Sequence, residues 1–208
     1  RFLRQWWEVS RARTAFACTS REEAKSSGAR WFPYNKGGEF RKWYGNQEHV
    51  VNWEDDGAEI ADFKPRAVIR NPGTYFSPSV SWSKVSSGAP AFRAYPPGFI
   101  YDVAGTSIFT TTVPERLGLL AFANSRTASE QLAAVAPTLN YEVGQVAALP
   151  VERAVDDEVV GLASAAITHA KADWDCSETS WEFTRNPLIE VSALEQSKRV
   201  TQSTPGDS

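Results

Sequence analysis

The chain has 208 residues, of which 42% are hydrophobic, and a formal net charge of −3 at pH 7. This length suits one large domain or two small ones with a core, and the acidic balance excludes a uniformly basic nucleic-acid-binding surface. Residues 1–70 carry 13 Lys/Arg against 10 Asp/Glu, whereas residues 71–208 carry 9 against 15, so any polyanion-binding surface must be local and mainly in the first half.

The first part of the chain predicts short strands with one early helix. Residues 1–9 are interpreted as the end of an element, and residues 20–27 predict a helix with Ser20 as N-cap and Glu23 in the capping-box position. Residues 30–54 predict two or three strands joined by tight turns. Alternating patterns then predict an antiparallel sheet with one wet face, from strands at 67–70, 74–77, 79–85, 91–95, 98–103 and 107–112.

Helices follow Pro114. Residues 117–125, 126–136 and 152–172 have helical spacing, while residues 138–144 predict a returning strand. The fold class expected is therefore α+β, with a mixed, mostly antiparallel sheet and C-terminal helices packed against it. The expected organisation is a recognition domain over 1–150, a helical extension over 151–194 and a disordered tail over 195–208.

Catalytic chemistry has few candidates in this sequence. Two histidines and two cysteines are scattered singly, without metal-ligand spacing, and the sequence has neither a phosphate-binding loop nor a nucleophile elbow. The acidic runs at 54–56 and 156–158 are predicted to form a turn and a helix start. We therefore expect no catalytic residue and no metal here. The distant cysteines favour a reduced, cytoplasmic chain, and the Arg1 start without any methionine suggests a piece of a longer protein.

Residues 31–46 are the most informative segment, because aromatics, cations and glycines alternate within it. Such a mixture suits a surface that neutralises phosphates and stacks on bases. Lys36, Arg41 and Lys42 are candidate phosphate ligands, Gly37 and Gly38 permit close backbone approach, and Asn46 is a candidate base-edge contact. The alternative interpretation is an ordinary β-hairpin whose turn carries charged and aromatic side chains without binding DNA.

A second candidate segment is Ser81-Trp82-Ser83-Lys84, with Arg93 in the next predicted strand. Hydroxyls beside a cation suit phosphate or base contacts, which makes Ser83, Lys84 and Arg93 DNA-binding candidates. The alternative is a solvent-exposed edge strand in which Trp82 is buried, with Arg93 as an exposed residue of the next strand.

Residues 31–46, followed by 50–60, closely resemble the adenine-specific DNA methyltransferases of BREX phage defence, the PglX type, and the wider type IIG-like group. Further segments resemble that family's central sheet, a helix start, a proline turn shared with type I restriction specificity subunits, and a later segment: 79–88 with 92–109, 119–128, 137–151 and 173–189. The resemblance covers roughly residues 1–190.

The resemblance implies a module for recognising double-stranded DNA, in restriction-modification or phage defence. The family transfers a methyl group from S-adenosylmethionine to adenine, using an N-P-P-Y-type motif and a cofactor loop in an N-terminal catalytic half. Both are absent here, since Asn71-Pro72 and Asn186-Pro187 lack the rest of the motif. The implied partners are duplex DNA, the N-terminal methyltransferase domain and other phage-defence proteins. The family's recognition motif falls on Lys36, Gly37, Gly38, Arg41, Lys42 and Asn46.

Two other classes of function remain open from the residues. Eight tryptophans, a net acidic charge and many short strands also suit a carbohydrate- or ligand-binding β module. A protein-docking role is the third class, centred on residues 151–190. Cations placed beside aromatics favour DNA, because sugar-binding platforms seldom need them.

Overall fold

The computed structural model describes residues 1–86, 88–136, 140–151 and 156–189. Within these ranges the predicted α+β class is confirmed. The strands are β1 (Leu3–Gln5), β2 (Trp31–Asn35), β3 (His49–Asn52), β4 (Ser79–Ser83), β5 (Phe92–Tyr95), β6 (Ile100–Tyr101) and β7 (Gly105–Ile108). The α-helices are α1 (Arg21–Ser26), α2 (Glu54–Asp62), α3 (Val113–Ala123), α4 (Arg126–Val135), α5 (Val143–Ala147) and α6 (Asp157–Asp175).

The strands form two sheets rather than one. The first has the order β1-β3-β2-β6, in which β2 runs antiparallel to β3 and parallel to β6. The second has the order β5-β4-β7 and is antiparallel throughout. The predicted mixed, mostly antiparallel pairing is therefore found, divided between two sheets.

The main core lies between the second sheet and the C-terminal helices. Strand β4 alternates, so that Val80 and Trp82 face α3 and α4 and join a buried cluster with Phe92, Leu120 and Leu132. Its serines, however, are buried as well: Ser79 and Ser81 have no exposed surface. The predicted wet face is thus wrong, because the end of β2 covers it and Asn35 Nδ2 donates to Ser81 Oγ at 2.6 Å.

Local capping signals explain where the helices begin. Thr112 accepts from the Glu115 N–H at the start of α3, and Ser125 accepts from the Ala128 N–H at the start of α4. Ser20 caps α1 as predicted. The Glu23 carboxylate, however, accepts from the Thr19 N–H rather than closing a capping box on Ser20.

Three predicted strands are wrong in the described residues. Residues 67–70 pair with no described strand, and residues 74–77 are not a strand because Thr74 ends a 3-10 turn and Phe76 has a left-handed φ angle of 66°. In the described part of the predicted strand at 138–144, Asn140 forms an isolated antiparallel bridge with Val85, and helix α5 begins at Val143 after a reciprocal capping box of Glu142 and Gln145. Residues 138–139 of that segment lie outside the described ranges.

The C-terminal helix α6 packs along α3, and the chain after it returns to the first sheet. There the Trp6 indole N–H donates to the Thr179 carbonyl at 2.8 Å, and the Trp181 ring lies 5.9 Å from that of Phe99. The divisions at 150 and 194 stay predictions, and the predicted tail falls outside the described residues.

None of the helices in the described ranges is both long and apolar enough to cross a bilayer. In those same ranges, no three His, Cys, Asp or Glu side chains come together as a metal site. Cys18 is a buried free thiol, and Cys176 is an exposed one.

Candidate nucleic-acid interface

Residues 36–46, called the cationic loop below, leave the first sheet after β2 and cross to the second sheet. Trp43 meets β5 there: its N–H donates to Phe92 O, and its carbonyl accepts from Ala94 N, both at 2.8 Å. Two of the strands predicted in residues 30–54 are therefore found, as β2 and β3, and the cationic loop between them adds only the bridge of Trp43 to Arg93. Left-handed φ angles at Trp43 and Asn46 prevent an extended ribbon.

The cationic loop starts from a buried asparagine. Asn35 Oδ1 accepts from the Gly37 N–H at 3.0 Å, and its amide donates to Ser81 Oγ and to Gly105 O. Gly37 has φ +78°, and a Cβ there would lie 2.7 Å from the Ala104 carbonyl oxygen. The backbone that approaches Gly37 closely is therefore the protein's own, at Ala104.

Arg93, Ser83 and Asn46 lie close together, and their side chains hold the cationic loop in place by donating to its backbone carbonyls. Arg93 is fully buried and donates to Arg41 O at 3.2 Å, to Glu39 O at 3.5 Å and to Ser83 Oγ at 2.9 Å. Ser83 donates to Gly38 O at 2.7 Å, and Asn46 to Glu39 O at 2.8 Å. These polar groups satisfy loop carbonyls, so their observed role is to shape the loop.

The buried guanidinium of Arg93 has no carboxylate partner among the described residues, and its Nε has no acceptor there. A buried charge without a counterion is costly unless hydrogen bonds replace the lost water. Backbone carbonyls supply that replacement here. Folding the cationic loop and burying Arg93 are therefore coupled.

The three cations of the loop differ in how available they are. Lys36 is exposed and has no hydrogen-bond or ion-pair partner within the described part of the chain. Arg41 is half-exposed, lies 3.3 Å from an Asp173 carboxylate oxygen and stands 5.0 Å above the Trp174 ring. Lys42 donates to the Asn124 carbonyl at 2.9 Å, at the C-terminal end of α3.

Helix α6 supports the opposite side of the cationic loop. Trp174 is buried, and a Cβ on Gly45 would lie 3.1 Å from its ring. Lys171 donates to Asp175 and Glu182, both at 2.5 Å, and stands 5.7 Å from the Tyr44 ring. The loop is thus held between the second sheet and α6, while Lys36, Gly38 and Phe40 are left exposed.

Lys84 directly follows the last residue of strand β4. Its ammonium is 2.9 Å from a Glu142 carboxylate oxygen, and its N–H donates to Ala104 O at 3.0 Å, the same carbonyl that Gly37 approaches. An exposed salt bridge of this kind contributes little to stability, so a phosphate could replace the carboxylate.

Phe40 was not among the predicted contacts, although 55% of its surface is exposed. It lies between Glu39 and Arg41 in the glycine-bounded part of the cationic loop. An aromatic flanked by charges, away from any apolar periodicity, is a signal that could have identified it. An exposed ring beside cations suits stacking or insertion at a base step.

The pKa of His49, near Lys36, responds to burial and to two nearby charges, those of Lys36 and Glu8. Burial, and then the charge of Lys36, lower the pKa of His49 below its ordinary value. His49 is therefore uncharged at neutral pH, since its pKa already starts near 6.5. The positive charge at this end of β3 comes from Lys36.

Comparison with known proteins gives relatives over nearly the whole chain. The adenine-specific methyltransferase PglX of Lacticaseibacillus casei (strain Zhang) is 38% identical over 194 residues, or 90% of this chain. The adenine-specific methyltransferase BrxX of Escherichia coli O9:H4 (strain HS) is 38% identical over 191 residues, or 91% of this chain. The chain is similar to one part of these methyltransferases. The resemblance found in the sequence is therefore confirmed.

This chain spans only about 16% of the PglX relative and 15% of the BrxX relative. No protein-family model matches it. PglX and BrxX thus contain long regions that have no counterpart here, and the similarity concerns a methyltransferase-associated segment.

Proposed function

We propose that this chain is the double-stranded DNA recognition module of an adenine N6 DNA methyltransferase in phage defence or restriction-modification. The observation that carries the proposal is the cationic loop, which presents Lys36 and Phe40 to solvent while buried groups fix its backbone. The similarity to PglX and BrxX supplies the context.

In this proposal the cationic loop contacts the phosphate backbone. Lys36 has no internal partner to give up among the described residues, and the exposed Arg41–Asp173 pair can exchange its carboxylate for phosphate at little cost. Phosphate contacts set the register of the duplex, and other side chains on the same surface read the bases. Lys42 and Lys84 are proposed as weaker contacts, because each already has an internal acceptor.

Gly37, Asn46, Ser83 and Arg93 keep a place in the proposed interface as residues that shape the loop. The methyl transfer itself is proposed to take place in an N-terminal methyltransferase domain, which would hold S-adenosylmethionine. A recognition module that grips the duplex offsets the few kcal/mol needed to extrude the target adenine. These partners place the proposed activity in the cytoplasm, where the DNA is.

A docking role is the second candidate for the C-terminal extension. On α6, Leu162 is 65% exposed, and Val159, one turn earlier, is also exposed. An apolar pair on a helix face fits a contact with the methyltransferase domain or with other phage-defence proteins.

Charge reversal at Lys36 is the direct test of the proposed function. We expect Lys36→Glu to weaken binding of a short mixed-sequence duplex about tenfold at low salt, because an attractive phosphate contact becomes repulsive. Fluorescence anisotropy of the labelled duplex measures the change. Lys25→Glu, at an exposed lysine on α1, is the matched control and should change the affinity by less than about twofold. Equal effects of the two variants, or no binding by the unmodified chain, would overturn the proposal.

A further inference from the structure

A cavity of about 410 Å³ lies beside the first sheet, and its lining includes residues 68–71, 100–103 and 105–107. Its volume falls within the roughly 300–1,000 Å³ that small-molecule sites occupy. Aliphatic side chains line part of it, and five aromatic ones line the rest of its apolar surface: Tyr34, Trp53, Tyr75, Tyr101 and Phe109. The Trp53 and Tyr75 rings pack edge to face at 5.2 Å, which gives the cavity a fixed aromatic wall.

The charged residues among those that line this cavity are Asp102 and Arg70. Asp102 supplies a carboxylate that bonds the Tyr34 hydroxyl. Burial first, and the Asp102 charge second, raise the pKa of Tyr34, so the phenol stays protonated and donates. Arg70 is exposed at the rim.

We propose that this cavity binds a single unpaired nucleobase, with the attached phosphate outside at Arg70. Flat aromatic walls suit the face of a heterocycle, and such stacking contributes about 1–3 kcal/mol per base. The Asp102 carboxylate accepts from an exocyclic amine of the base. A phosphate inside the cavity is disfavoured, because Asp102 would repel it.

The cavity adjoins the cationic loop. The Asp102 N–H donates to Asn35 O at 3.0 Å, immediately before Lys36. Ala104, two residues after Asp102, is the backbone that Gly37 approaches. The nucleobase can thus come from an extrahelical nucleotide of a duplex held by the cationic loop, in which case the inference rests on the proposed function. A free nucleotide is the other source of the same chemistry.

Two substitutions, Asp102→Asn and Arg70→Ala, test separately whether the cavity binds the base and whether Arg70 binds the phosphate. Adenosine and adenosine 5′-monophosphate are titrated as competitors of fluorescent 2-aminopurine riboside. We expect Asp102→Asn to weaken both about tenfold, since the charge-assisted hydrogen bond is lost. Arg70→Ala should weaken only the monophosphate, by about threefold. Unchanged 2-aminopurine fluorescence on addition of the unmodified chain would overturn the proposal, as would equal effects of Arg70→Ala on both ligands.

Duplex probes then identify the source of the base. A duplex with one bulged 2-aminopurine is compared with the same duplex fully paired. Preference for the bulge that Asp102→Asn abolishes assigns an extrahelical base, whereas nucleoside binding without that preference assigns a free nucleotide. Either result supports the cavity, and absence of both overturns it. The fully paired duplex reports separately on the cationic loop, so failure of the cavity and failure of DNA binding are distinguishable.

Discussion

Arg93→Met is expected to lower the free energy of unfolding by about 1–3 kcal/mol. Methionine fills much of the same volume, but it leaves the Arg41 carbonyl without its donor. It also removes one donor from the Glu39 carbonyl, which keeps Asn46, and one from the Ser83 hydroxyl, which still donates to Gly38 O. Each buried acceptor left unpaired costs about 1–3 kcal/mol, and removing an uncompensated buried charge offsets part of that loss. Urea denaturation monitored by tryptophan fluorescence measures the difference.

Arg126→Met is the matched control for Arg93. Arg126 is 92% exposed on α4 and pairs only with Glu130 among the described residues, so its loss should stay within about 0.5 kcal/mol. Hydrogen exchange adds a local measurement: the amides of the cationic loop should exchange faster in Arg93→Met than in Arg126→Met. Equal stability of the two variants would show that the guanidinium does not hold the loop.

Gly37→Ala is expected to be destabilising by about 2–4 kcal/mol. The backbone at Gly37 has φ +78°, which costs an L-residue about 1–2 kcal/mol, and the new methyl group would lie 2.7 Å from Ala104 O. Backbone cannot move aside as a flexible side chain can. The two sheets meet at this contact, so the substitution should lower the thermal midpoint of the whole chain rather than of one loop.

Gly73→Ala provides the comparison. A Cβ at Gly73 meets nothing within 4 Å, so this variant should change stability by no more than about 0.5 kcal/mol. If Gly37→Ala were as stable as Gly73→Ala while binding less DNA, Gly37 would serve the approach of a DNA backbone instead of this protein's own.

Predictions from the sequence were most accurate where contacts between neighbouring residues determine the local structure. Helix α1 begins after Ser20 and helix α4 after Ser125, because a side-chain oxygen accepts a free N–H at each start. Strand β4 follows its period-two alternation. The Glu142–Gln145 capping box was equally local, but the apolar run beside it was interpreted as a strand.

The predictions that failed concern residues whose environment is formed by distant parts of the chain. Arg93 was predicted to be an exposed strand residue or a DNA contact, since nothing local indicates that backbone carbonyls of a distant loop would surround it. Ser79 and Ser81 follow the pattern of a wet face, yet the end of β2 covers them. The cavity also escaped prediction, because Trp53, Tyr75 and Asp102 come from three separate parts of the chain.

The motif at residues 31–46 has two roles. Its glycines and asparagines bind the protein to itself, which gives the cationic loop one fixed shape. Its lysines and arginine remain at the surface of that shape, where their charges can act on a polyanion. A rigid cationic loop binds phosphates without first losing conformational entropy, and this is the advantage the buried network provides.

The dependence of duplex affinity on salt tests the cationic loop most directly. Each phosphate contact releases counterions and adds about 0.9 to the slope of log affinity against log salt concentration. The triple variant Lys36→Gln, Arg41→Gln and Lys42→Gln should therefore flatten that slope by about 2–3 while keeping the thermal midpoint of unfolding nearly unchanged. The same slope for the unmodified and triple-variant chains would contradict the account, because the loop cations would then touch no phosphate.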